Sequence, residues 1–158
     1  WEAIQIAKKT KKKLIISGIV QDQAYFGEKV APWLNDNDIV FVGSSGPEKR
    51  DKLLKNAFAL LHPINFNESF GLSVAEAMFC GTPVVAFEKG SMPELIQHGK
   101  TGFLVHTIDE AVDALNNIPE INRSYCRRWA EKNFSREKMV EDYIQIYTSI
   151  LQKQTSYR

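Results

Sequence analysis

The sequence predicts an α/β fold, a doubly wound parallel sheet with helices on both faces and a helical carboxyl-terminal region. Three observations carry this reading. The apolar runs Leu14-Ile15-Ile16, Ile39-Val40-Phe41-Val42, Ala57-Phe58-Ala59-Leu60-Leu61 and Val84-Val85-Ala86-Phe87 are continuous and do not alternate with polar residues. Strands covered on both faces read this way. Helical text separates the runs, so strands and helices alternate and right-handed crossovers follow. Past Thr107 the pattern is helical only.

In chain order, the text opens as a helix, Trp1-Glu2-Ala3-Ile4-Gln5-Ile6-Ala7, with no capping residue before it. That opening leads to the expectation that the chain is a fragment whose missing part lies upstream. The basic run Lys8-Lys9-Thr10-Lys11-Lys12-Lys13 falls between helix and strand. It reads as a solvated turn, with contact to anionic lipid, a peripheral membrane association, as the second reading. Residues 25–34 set Phe26, Val30, Trp33 and Leu34 on one helical stripe, and residues 48–56 turn Leu53 and Leu54 inward. After Thr107, helices are expected over 108–117, 120–132 and 135–152, the last capped by Ser135. Its stripe of Met139, Val140, Tyr143, Ile144, Tyr147, Ile150 and Leu151 is expected to pack on the core.

Composition narrows the function. A chain of 158 residues suits one domain with a full core. A formal net charge of +1 argues against a general nucleic-acid binder, which carries a basic stripe. No apolar stretch approaches the ~20 residues that cross a bilayer. Cys80 and Cys126 have no metal-ligand spacing and point to a reduced, cytoplasmic setting.

Several runs end in flexible residues: Gly18 after the first, Gly43 after the second, His62-Pro63 after the third and Gly90 after the fourth. Ligands of open parallel sheets settle beyond the carboxyl ends of the strands. The informative text follows the third run, from Asn67-Glu68-Ser69-Phe70-Gly71-Leu72 through Glu76 to Gly81-Thr82-Pro83. It reads as a loop and then an apolar helix starting near Gly71 and stopped by Gly81 and Pro83. Gly71 lets a ligand approach the backbone, and the first amides of the helix are free to hold an anion such as a pyrophosphate. Glu76 within an apolar helix is costly unless something hydrogen-bonds it, and sugar hydroxyls suit a carboxylate. Glu68, eight positions earlier, stands at the anion end. Each glutamate also has a plainer reading: Glu68 complements the helix dipole, and Glu76 pairs with a nearby Lys or Arg.

Glu68-Ser69-Phe70-Gly71-Leu72 through Glu76-Ala77-Met78, followed by Cys80-Gly81-Thr82-Pro83-Val84-Val85, resembles the donor-site signature of retaining glycosyltransferases of family 4. Gly90-Ser91-Met92-Pro93-Glu94 and the text 98–105 resemble further parts of that family. The resemblance implies half of a two-domain GT-B enzyme, the Rossmann-like carboxyl-terminal domain that binds a UDP- or GDP-sugar without a metal. It implies that Glu76 takes the ribose hydroxyls and that Glu68, the catalytic candidate, faces the transferred hexose. Ser69 and the backbone at Phe70, Gly71 and Leu72 would meet sugar and phosphates, Val42, Gly43 and Ser44 the base, and Gly18 the phosphates. It further implies that the domain's first strand, an Arg/Lys pair holding the diphosphate, and the acceptor domain lie upstream of Trp1. Lys49 and Lys89 do not stand in the matching places and read as solvated. Two other classes stay open at this point, a sugar-nucleotide epimerase of GT-B shape and a non-catalytic nucleotide-binding module. The lone His62, His98 and His106 offer little to the first, and no Gly-x-Gly-x-x-Gly follows a strand for the second.

Overall fold

The computed structural model describes residues 1–35 and 37–155. Its strands are β1 (Leu14–Ile16), β2 (Ile39–Phe41), β3 (Leu60–His62), β4 (Val84–Phe87) and β5 (Gly102–Val105). Its α-helices are α1 (Glu2–Thr10), α2 (Gln23–Tyr25), α3 (Pro47–Asn56), α4 (Leu72–Phe79), α5 (Met92–Leu95), α6 (Ile108–Asn117), α7 (Arg123–Phe134) and α8 (Arg136–Thr155). Every strand pairing is parallel, as the unalternating apolar runs predict. Among the described residues β1 pairs only with β2, and β3 only with β4, so the strands form a sheet of two and a sheet of three.

All four residues of β4 are buried and alternate between two cores. Val84 and Ala86 pack with Val74 and Met78 of α4, Met92 and Leu95 of α5, and Cys126 and Ala130 of α7. Val85 and Phe87 pack with Ile6 of α1 and with Ala111 and Leu115 of α6. Helices therefore cover both faces. The smaller sheet has its own cluster, in which Ile39 meets Ile4 of α1 and Val30. Through Ile4 and Ile6 the one helix α1 is anchored to both sheets. Burial pushes the Cys126 thiol up to about 12, so it stays protonated and behaves as a small apolar side chain.

At the base of the sheet Arg123 acts as a brace. Its Nη1 donates to Ala57 O at 2.9 Å, and its Nη2 donates to Lys55 O at 3.0 Å and Thr82 Oγ1 at 2.8 Å. Two carbonyls at the end of α3 and the hydroxyl of Thr82, two positions before β4, are thus held by one guanidinium.

Several expectations need correcting. The third strand begins at Leu60, because only Leu60, Leu61 and His62 find partners on β4, and 57–59 form its approach. Residues 102–105 belong to none of the apolar runs, yet they form β5, a short parallel edge strand beside β4. The helix expected from 120 starts at Arg123, where Asn122 caps it through a bond from Tyr125 N. Residues 25–34 wind as the end of α2, a π-turn over Phe26–Val30 and a 3-10 turn over Ala31–Trp33. Pro32 cannot donate to a helical ladder, yet Phe26, Val30, Trp33 and Leu34 still share one cluster. The basic run is not a plain solvated turn. Lys8 and Lys9 belong to α1, Lys8 Nζ lies 3.5 Å over the Trp33 ring, and Lys12 Nζ lies 4.2 Å over Phe58. Ser135 does cap α8, accepting from Lys138 N. The stripe of α8 joins none of the core clusters among the described residues, however, and all of Met139, Val140, Tyr143, Ile144, Tyr147, Ile150 and Leu151 are exposed.

Candidate functional site

The loops leaving β1 and β2 are pinned to each other. Val42 N donates to Ile16 O at 2.9 Å and Gly18 N to Gly43 O at 3.0 Å. Ser17 Oγ donates to Gly43 O at 3.0 Å and shares a hydrogen bond with the Ser45 hydroxyl at 2.8 Å. Gly18, Val42, Gly43 and the exposed Ser44 therefore lie in one joined pair of loops. A Cβ added at Gly18 or Gly43 would meet nothing within 4 Å, so this wall is open on its outer side.

The loop leaving β3 is built differently. Gly71 caps α4 with φ +90°, a left-handed conformation that favours glycine, and its carbonyl accepts from Val74 N and Ala75 N. The amides of Leu72 and Ser73 donate to no described group and leave the positive end of α4 uncovered. The turn after β4 supports this loop from behind. Ser91 N donates to Glu68 O at 2.9 Å and Ser91 Oγ to Phe70 O at 2.8 Å. A Cβ at Gly90 would sit 2.2 Å from Glu68 O, and one at Gly71 would sit 2.7 Å from Met92 Cε. Glu68 is half-buried, and its Oε1 accepts from Ser69 N at 3.0 Å. Ser69, Phe70 and Leu72 are exposed, Leu72 by 70%, and Phe70 stands edge-on to Phe134 with ring centres 6.1 Å apart.

Glu76 projects from the next turn of α4, which is buried through Val74, Ala75, Ala77 and Met78. Its own side chain is 32% exposed, so the cost of burying a lone carboxylate does not arise in the form the sequence suggested. Glu76 Oε1 instead lies 3.1 Å from Nη2 of Arg50, in an ion pair with α3. The plainer reading of Glu76 is thus realised, and the partner is a residue the sequence did not single out. Twenty-six positions and a strand separate Arg50 from Glu76, so no local spacing signals their meeting.

His62 ends β3 beside this loop. Its Nε2 is buried without a partner among the described residues. Desolvation pulls its pKa below the ordinary histidine value, with Glu68 pulling weakly the other way, so the imidazole is held neutral. Lys49 Nζ donates to Val42 O at 3.3 Å, and Lys89 is exposed. His98 Nδ1 accepts from Leu104 N, and His106 Nε2 lies 3.4 Å from Glu88. No group of three or more His, Cys, Asp or Glu among the described residues stands where it could hold a metal. No described helix is long and apolar enough to cross a membrane. A cleft of about 500 Å³ is lined by Asp51, Lys52, Lys55, Phe79, Cys80 and Arg127, further along α3 and α4 than Arg50 and Glu76, and contains none of the expected site residues.

The family profile of glycosyl transferases group 1 matches residues 1–152 of this chain. The chain belongs to that family. Among curated relatives of this family member is the N-acetyl-alpha-D-glucosaminyl L-malate synthase of Bacillus anthracis, 39% identical over 93 residues, covering 53% of this chain and 24% of that protein. The trehalose synthase of Pyrococcus horikoshii is 29% identical over 168 residues, 95% of this chain and 40% of its own length. Among solved structures, a glycosyltransferase involved in avilamycin A biosynthesis superposes with a TM-score of 0.81 at 25% identity, over 96% of this chain and 47% of that one. HepE of Anabaena, crystallised with UDP and glucose, gives a TM-score of 0.78 at 24% identity, over 92% and 44%. These neighbours have the GT-B architecture, and the chain shares their α/β fold. It spans less than half the length of the relatives it matches.

Proposed function

We propose that the chain is the donor-binding domain of a retaining glycosyltransferase of family 4, which moves a hexose from a UDP- or GDP-sugar to an acceptor hydroxyl. The observation that carries this reading is the mouth of α4, where two amides without a partner among the described residues follow a left-handed Gly71 and stand between the carboxylates Glu68 and Glu76 in the chain. The amides and the positive helix end receive the diphosphate, and they stabilise the negative charge that grows on it as the sugar departs. Glu76 accepts the ribose hydroxyls. Glu68 faces the hexose and acts as the catalytic carboxylate. Ser69, Phe70, Gly71 and Leu72 line the sugar and phosphates, while Gly18, Val42, Gly43 and Ser44 receive the phosphate and base from the opposite wall.

The enzyme so proposed has no resident metal and works in the cytoplasm, and the intact enzyme makes peripheral contact with the membrane. It also calls for partners outside residues 1–158. The acceptor is held by an amino-terminal domain of the full-length protein, and closure of the two domains excludes water from the reaction. Among the described residues one edge of β1 and one of β3 have no strand partner, and with α1 anchored to both sheets they suit one further parallel strand ahead of α1. The basic pair that would complete the diphosphate site follows such a strand.

Saturation-transfer NMR of this chain with UDP, GDP and NAD tests the reading. Signals from a nucleoside diphosphate are expected, weakened at least about tenfold in affinity by Glu76→Ala, the loss typical of charge-assisted hydrogen bonds. They are expected to survive EDTA. Binding of NAD alone, or nucleoside diphosphate binding untouched by Glu76→Ala, would overturn it.

A further inference from the structure

We propose that Arg50 is a positioning residue for the donor ribose, which holds the Glu76 carboxylate in the orientation that accepts a vicinal diol. The inference rests on the reading of Glu76 given above and goes beyond it by naming what aims that carboxylate.

Arg50 is badly placed for any purpose of its own helix. Gly46 caps α3, Pro47 opens it, and Arg50 N makes the first helical bond back to Gly46 O at 2.9 Å. A cation in the first turn opposes the helix dipole. Its Nε is also buried without a partner among the described residues, which carries a desolvation cost. Both penalties fall on one guanidinium, and the contact found to offset them is the ion pair with Glu76. Local rules broken in this way, with the compensation directed at a single carboxylate, mark a functional position.

The geometry of the pair fits positioning. Arginine and carboxylate commonly meet through two parallel bonds. Here the contact is Nη2 to Oε1 at 3.1 Å, and no described group donates a hydrogen bond to Oε2. A carboxylate offers about four lone-pair sites, so the ion pair leaves Glu76 free to accept from hydroxyls. Glu76 is 32% exposed and Arg50 42%, which leaves a route for a ligand to the carboxylate. The guanidinium also joins the two walls, because α3 grows directly out of the loop that carries Gly43 and Ser44. A nucleotide reaching that loop and Glu76 together would find their separation already set.

The test compares affinities for UDP and 2′-deoxy-UDP, with GDP and 2′-deoxy-GDP in parallel, in the wild-type chain, Glu76→Gln, Arg50→Met and Arg50→Lys. Wild type is expected to favour the ribonucleotide by about tenfold, one charge-assisted hydrogen bond. Arg50→Met is expected to reduce that preference to about two- to threefold, and Arg50→Lys to restore part of it. A residue needed only for folding would lower both affinities and leave their ratio unchanged. Should Arg50→Met lose its fold by circular dichroism, Arg50→Gln, which keeps a planar donor without the charge, takes its place with the same expected loss of ratio. A ratio abolished by Glu76→Gln and untouched in the Arg50 variants overturns the role of Arg50 alone. A wild type that binds no nucleoside diphosphate, or binds both sugars equally, overturns the parent reading and this one with it.

Discussion

The two walls of the α4 mouth are made by opposite means. On the side of β3 and β4, backbone is packed against backbone. Gly90 lies so close to Glu68 that a methyl has no room, Ser91 holds two carbonyls of the loop, and Met92 fills the space beside Gly71. On the side of β1 and β2, the loops are joined by a handful of polar bonds, and their glycines face open space. The first wall fixes the carboxylate and amides that would meet a sugar and diphosphate, where small displacements are costly. The second has freedom to differ in shape, as suits the side that would meet the base.

Methyl groups offer the sharpest way to break this contrast. Gly90→Ala is expected to cost about 3 kcal/mol or more, because the methyl meets backbone at 2.2 Å and the residue has φ +55°. Gly18→Ala is expected to change stability by less than about 0.5 kcal/mol. Urea midpoints measure both, and equal losses would dissolve the distinction between the walls. Serine hydroxyls probe it more gently. Ser91→Ala removes the bond to Phe70 O and is expected to cost about 1 kcal/mol, while Ser17→Ala, on the exposed wall, is expected to cost less. The smallest effect concerns pH. The His62 pKa is lowered in the folded chain, so between that value and 6.5 the unfolded chain binds more protons. Stability is then lost as pH falls below 6.5 and regained as it rises. His62→Gln is expected to flatten that slope, measured by urea unfolding at pH about 5.5 and about 7.5. An unchanged slope would mean that other groups carry it.

Much of this was legible in the sequence, and the failures have physical causes. Continuous apolar runs reveal strands well when both faces are covered, and β4, buried at every position, is the clearest case. The four residues of β5, directly after the turn at Gly99 and Lys100, are too few to carry a pattern against that turn chemistry. The run 57–61 is apolar for two reasons at once, since Ala59 and Leu61 pack into the core while only part of the run pairs with a neighbour. Periodicity reveals that α8 has an apolar face and says nothing of whether a neighbour covers it. The helix mouth, with Gly71 and its flanking carboxylates, could be read from local spacing. The Arg50 partnership could not, because it depends on how two helices meet after the chain has crossed the sheet.

The brace at Arg123 has a consequence at a distance. By fastening the carbonyls of Lys55 and Ala57 to Thr82, it fixes how far α3 can slide along its own axis. Arg50 rides near the other tip of that same rod. A side chain at the floor of the domain therefore sets the reach of a guanidinium at its rim, and damage below would register above as a blunted grip on the carboxylate.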